Sequence, residues 1–345
     1  MARDRQSKPG RSPGLILALK YTEATARVRL RARDLDEQAQ SPQASGLRNR
    51  RIGMNPLSSH RCAAVLVLTV ALTAVVTSVA QAAGPSAEAL AQAAAEKRAS
   101  LAQEIDRLTG EIDSGRLHGK ELAEMFRYRG IALSRLTQNE RALEDFGRAI
   151  ELEEFGPQYY EDRAITYLKL RDFPRAQTDL AMALGLDSKR ATAHREEGRL
   201  ASYQGEHARA AHSFALAMDN DQGIGVLYAA IWLHVEVMRS RSNAWSPLTS
   251  YAEVLPADQW PAPVIKMLTG AMQPEEAIAL AQSPDVDIDQ AQKCEAYFYA
   301  GQQYLIDQNP DAAKAAFEAA VATGMTEFLE YDWALRELEL MKARR

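Results

Sequence analysis

Small and large apolar residues recur across the middle of this chain with a fixed period of 34. Gly130, Ala164 and Gly198 define the period; twelve residues after each comes Ala142, Ala176 or Ala210. Sixteen after each stands Phe146, Leu180 or Phe214, and nineteen after each Ala149, Ala183 or Ala217. A fourth copy near the end keeps the same offsets with Gly301, Ala313, Phe317 and Ala320. Each unit reads as two antiparallel helices whose small residues permit close approach while the large one fills the next groove. One pair cannot bury its apolar face, so at least about three must stack on a shared core. The pattern predicts an all-α solenoid with units at about 123–156, 157–190 and 191–224, a fourth at 294–327 and a half-unit near 86–115. Its concave surface is lined by the first helix of each unit.

Between the third and fourth units the period lapses. Residues 225–241 read as one more first helix, but Pro247, Pro256, Pro261 and Pro263 forbid a continuous partner. The stretch 225–293 is therefore predicted as short helices joined by turns. The tail carries Phe328, Leu329, Trp333, Leu335 and Leu338 at helical spacing and ends in basic residues, which predicts a capping helix over 326–343.

Further residues in these columns resemble the tetratricopeptide repeat. Its early aromatic is matched by Phe126, Tyr160 and Tyr297, and its later Tyr by Tyr167 and Tyr304; the third unit departs with His194 and Ala201. Arg129 and Asp145 hold the same repeat positions as Arg163 and Asp179, whereas the third unit has Glu197 and Ser213. Acid and base change together, so these are predicted as structural ion pairs bridging each hairpin, worth about 0.2–1 kcal/mol if exposed.

Upstream, Met54 opens a different pattern: Arg61, an uncharged apolar run, then small residues at Ala80 and Ala82. This reads as a signal peptide over 54–82 with cleavage after Ala82, the alternative being an uncleaved membrane anchor. Residues 1–53 read as an over-extended start or a disordered leader, and 83–345 as a single domain. Charge divides at the same place. Of 41 Lys+Arg and 46 Asp+Glu, the first 83 residues hold 13 and 5, leaving 28 and 41. A mature chain at −13 argues against nucleic-acid backbones as partners. Export predicts a periplasmic location, or a membrane-anchored one facing the periplasm.

A closer resemblance lies after Gln259. DQWPAPVIKMLTG, CEAYFYAGQQYLIDQNPDAAKAAFEAAVATG and EFLEYDWALRELELM together are similar to the carboxyl-terminal half of the NlpI lipoprotein family, through Trp260, Pro261, Gly270, Tyr299, Gly301, Tyr304, Phe317, Phe328, Glu330 and Leu338. The resemblance spans roughly 120–345. It implies an all-helical, dimeric scaffold that holds periplasmic proteases and peptidoglycan hydrolases without being an enzyme. Members carry a lipidated Cys just after the signal, whereas Ala83 stands there and Cys62 precedes the apolar run.

Chemistry-bearing motifs are sparse. The six His lack zincin spacing, His207 and His212 diverge on a helix, and no nucleophile elbow, P-loop or dinucleotide fingerprint occurs. No catalytic, metal or cofactor residues are assigned. Cys294 reads as a packing residue and His194 as a replacement for the packing aromatic. The concave face should instead bind proteins through Arg127, Glu161, Lys169, Arg195, Arg199 and Tyr203, with Glu124, Ser134, Arg135, Gln158, Thr192 and Ser202 around them. Arg195 and Arg199 share a face, and with Tyr203 could hold a carboxylate or an extended segment. The positions that form a carboxylate clamp in chaperone-binding repeats hold Arg127, Ile131, Asp162, Thr192 and Glu196, so binding of that kind is not expected. An alternative reading is an envelope enzyme, a polysaccharide-export component or a cell-wall-binding module using Trp232, Trp245 and Trp260.

Overall fold

The computed structural model describes residues 87–221, 223–240, 246–326 and 328–343; the leader, the signal segment and the expected cleavage point lie outside the described residues. Every regular element among the described residues is a helix. A long helix α1 (Ala87–Asp113) stands where the half-unit was expected. Three antiparallel pairs follow: α2 (Gly119–Arg135) with α3 (Asn139–Leu152), α4 (Pro157–Lys169) with α5 (Phe173–Leu186), and α6 (Ala191–Tyr203) with α7 (His207–Asn220). Next come α8 (Gly225–Arg239) and three short helices, α9 (Leu248–Val254), α10 (Ala262–Leu268) and α11 (Pro274–Ala279). The last pair is α12 (Val286–Ile306) with α13 (Pro310–Ala322), and α14 (Leu329–Ala343) ends the fold. The chain is an all-α tetratricopeptide-type solenoid.

The helix pairs are built by one contact. A Cβ added to Gly130 would lie 2.7 Å from Phe146, one on Gly198 2.9 Å from Phe214, and one on Gly301 2.4 Å from Phe317. In the second unit the small residue is Ala164 and the large one is Leu180, both buried. Glycine therefore accompanies the ring and alanine the smaller leucine, because the interhelical distance leaves room for one or the other. Gly301→Ala should cost about 2 kcal/mol through overpacking, less whatever the better helix former returns. Adding Phe317→Leu should recover most of that loss, and a thermal melt of the two single variants and the double variant checks the coupling.

The turn within each pair also repeats. Thr137, Arg171, Gly205 and Gln308 all have positive φ, between 57° and 77°, and each lies seven residues after the small residue of its unit. Asp172 and Asn309 then cap the second helices by accepting from Arg175 N and Ala312 N.

Two departures from the sequence reading shape the inner face. Helix α12 starts at Val286 rather than near Cys294, because Asp285 caps it by accepting from Asp287 N and Ile288 N. Those added turns bring its start to α1, and a crevice of about 470 Å3 between them is lined by Lys97, Arg98 and Leu101 on one side and Asp287 and Gln290 on the other. Helix α14, expected to cap the last repeat, also turns back across the third. Trp333 stacks on Tyr203 at 4.1 Å between ring centroids, Glu339 accepts from Arg171 at 3.0 Å, and Glu337 pairs with Arg239. Trp232 holds this half together, 5.9 Å from Phe214, 5.7 Å from Phe298 and 5.1 Å from Trp333.

Candidate functional site

On the inner face, ion pairs link one repeat to the next. Arg127 on α2 donates to Asp162 on α4 at 2.5 Å and to Glu124 at 3.3 Å, while Tyr159 and Gln158 donate to Glu124 at 2.9 and 3.1 Å. Burial pushes the Asp162 carboxyl up to about 6, against the opposing pull of Arg127. Arg127 and Asp162 thus satisfy each other, leaving neither as one half of a clamp for a terminal carboxylate.

Glu161 is 3% exposed and accepts two bonds from Arg190, at 2.8 and 2.5 Å. It holds α4 to the start of α6. Arg195 donates to Asp221 at 2.5 Å and to Thr192 at 3.2 Å, and Arg199 donates to Glu196 at 2.5 Å. Tyr203 is buried between Phe173 and Trp333. Of the expected set, Arg199 and Tyr203 both line the pocket described below, while Arg195 is turned to Asp221. Each arginine also has an acid from its own chain, and Trp333 of α14 stacks on the tyrosine ring. Asp221 lies beyond the end of α7, outside the repeat columns, and gives no sign of this role in the sequence.

The hairpin pairs are bidentate. Arg129 donates to Asp145 at 2.8 and 2.7 Å, and Arg163 to Asp179 at 2.7 and 2.8 Å. Both aspartates are buried, so these are not the exposed pairs of small worth considered from sequence; removing one partner strands a buried charge. In the third unit Ser213 donates to Glu197 at 3.2 Å.

A pocket of about 190 Å3 opens between α4, α6 and α14, lined by Lys169, Arg199, Glu196, Tyr203 and Asp332 with Ile165, Leu168 and Leu329. Lys169 reaches Ser134 on α2 at 3.3 Å. Burial raises the Asp332 carboxyl, opposed by Lys169 and Arg171. Asp332 and Leu329 carry no sequence sign of a place on the inner face, because the tail reads as a cap on the last repeat alone. The pocket therefore offers Lys169 and Asp332, an Arg199–Glu196 ion pair and an apolar wall within one concavity, an arrangement suited to backbone and mixed side chains rather than to a single anion.

Behind this pocket lies a buried acid pair. Glu295 on α12 accepts from Trp260 Nε1 at 2.7 Å and from the Tyr228 hydroxyl at 3.0 Å, while Glu330 on α14 accepts from Tyr299 at 3.0 Å. Burial and the nearby Glu330 push Glu295 up to about 8.

The alternative tryptophans find structural work here: Trp232 is 2% exposed in the aromatic core, Trp260 donates to Glu295, and Trp245 lies outside the described residues. Trp232 therefore has no free ring face on which a sugar could stack. Cys294 is buried and its thiol is pushed up to about 12 by burial, which leaves it a poor nucleophile. His194 is buried with Nε2 3.0 Å from the Ser188 carbonyl. Among the described residues no group of three or more His, Cys, Asp or Glu is placed to hold a metal ion, and no helix is long and apolar enough to cross a membrane.

No family model matches the chain. Among solved structures it is similar to a tetratricopeptide repeat protein from Parabacteroides merdae, with a TM-score of 0.43 and 14% identity over 73% of this chain and 97% of that one. PilF of Pseudomonas aeruginosa gives a TM-score of 0.39 and 14% identity over 62% of this chain and 97% of its own. The tetratricopeptide domain of Arabidopsis OM64 gives a TM-score of 0.30 and 26% identity over 32% of this chain and 93% of its own. The fold assignment rests on the repeated helix pairs and turns described above.

Proposed function

We propose that this chain is an exported scaffold of the bacterial envelope that binds partner proteins on its inner face. The observation that carries the reading is the open pocket between α4, α6 and α14, where Lys169, Arg199, Glu196 and Asp332 surround apolar Ile165 and Leu329. Cross-repeat pairs such as Arg127 with Asp162 hold this face rigid before any partner arrives, which lowers the entropy lost on binding. The NlpI resemblance supports proteases and peptidoglycan hydrolases as partners, and a homodimer as the assembled form. The signal-like segment over 54–82 supports a periplasmic location.

Affinity capture from an envelope extract tests this reading. The wild-type protein should retain a protease or wall hydrolase, and Lys169→Glu, which reverses one charge in the pocket, should weaken capture about tenfold. N-terminal sequencing of the captured bait should begin at Ala83. Recovery of neither enzyme class, or equal recovery by the variant, would overturn the assignment.

A further inference from the structure

One crevice outside the groove holds more hydrogen-bond donors than its own walls satisfy. It opens where the α6–α7 turn, the ends of α8 and α12 and the middle of α14 meet, and it has a volume of about 810 Å3. It shares no lining residue with the groove pocket.

Gln302, 1% exposed, lies on its floor. The Oε1 of that residue accepts from Arg239 through Nε at 3.0 Å and also through Nη2. This fixes the amide: Nε2 must be the end turned away from the guanidinium, and it has no partner. Arg336 stands nearby, over the rings of Tyr203 and Trp333 at 4.9 and 5.8 Å. It donates to the Tyr203 carbonyl, but its buried Nε also lacks a partner. Glu337 attracts Arg336 electrostatically but is paired with Arg239 and leaves that Nε without a hydrogen bond. Burial, with Arg171 and Arg239 close by, lowers the pKa of Arg336. A buried donor left unmade is costly, so two of them at one crevice mark a place where an added acceptor stabilises the protein.

The walls narrow the choice of acceptor. Met238 and Leu340, 41% and 36% exposed, stand at the crevice with Leu305 beside them. The space is far larger than a lone anion needs, since one water takes about 30 Å3. We propose that this crevice is a second binding site, taking an acidic side chain of a partner polypeptide, with its carboxylate on Arg336 and Gln302 and its apolar neighbours on Met238, Leu305 and Leu340.

Fluorescence anisotropy of two labelled, amidated tripeptides, Leu-Glu-Leu and Leu-Gln-Leu, titrated with the full-length protein, tests the site. The glutamate peptide should bind about tenfold more tightly than its amide counterpart. Gln302→Leu removes the orphaned amide, and Leu340→Glu introduces an internal carboxylate at an exposed position that the fold tolerates; each should weaken the glutamate peptide by about tenfold. Met182→Ser, on the outer helix α5, should leave its affinity unchanged. Equal binding of the two peptides, or undiminished binding by Leu340→Glu, would overturn the proposal. Sodium acetate should compete poorly at the peptide's own concentration; competition as strong as the peptide's would reduce the crevice to a simple anion site and also overturn it.

Discussion

Replacing Trp333 by Ala should remove about 4 kcal/mol of stability and free α14 from the inner face. The side chain is fully buried, stacked on Tyr203 at 4.1 Å and packed against Trp232 at 5.1 Å. It therefore joins three elements far apart in sequence, α6, α8 and α14. Its buried Nε1 has no hydrogen-bond partner, so Trp333→Phe should cost much less, keeping a ring while removing an orphaned donor. Urea unfolding measures both costs. Trypsin cleavage at Arg336 under native conditions should quicken in the Ala variant, because the helix carrying it is no longer held. A loss below about 1 kcal/mol in the Ala variant would mean that α14 contributes little packing and that the inner face is open along its whole length.

The second large effect is a dependence on pH. Glu295 is held among Tyr228, Trp260 and Tyr299, with Glu330 facing it from α14 and Arg199 nearer to Glu330 from α6. Burial and the Glu330 charge raise its carboxyl to about 8. A raised carboxyl favours the neutral form in the folded state. Its contribution is therefore fully present below the unfolded value near 4.5 and is lost as pH climbs towards 8. Glu295→Gln keeps an acceptor for Trp260 and Tyr228 yet never ionises. It should match the parent at pH 5 and exceed it at pH 8.5 by on the order of 3 kcal/mol, seen as a higher Tm. An unchanged difference between the two pH values would show that Glu295 ionises freely.

The same two regions show where the sequence was legible and where it was not. The period of 34 located the helix pairs because a small residue and a large one sixteen positions later are tied by direct contact, as Gly198 and Phe214 are. The turns were harder to read. Their left-handed position holds Gly only at Gly205, and Thr137, Arg171 and Gln308 adopt it without the residue that would announce it. Arg195 and Arg199 were visible as a shared face, but their acids were not. Glu196 lies on the same helix in a repeat that departs from its neighbours, and Asp221 follows α7 in no repeating column. The return of α14 was hidden for another reason: Arg171 meets Glu339 across 168 residues, and an amphipathic helix gives no sign of which of two surfaces it will cover. Tyr228 and Trp260, which donate to Glu295, come from the region where the repeat lapses, so no spacing connects them to it.

What touches the inner face in cells tests the scaffold role most directly. A photo-crosslinking amino acid at Ile165, which lines the pocket beside Lys169, should join the full-length protein to an envelope protease or peptidoglycan hydrolase, while the same group at Met182 on the outer helix α5 should not. Crosslinks of equal yield from both positions, or no protein joined at Ile165, would contradict it.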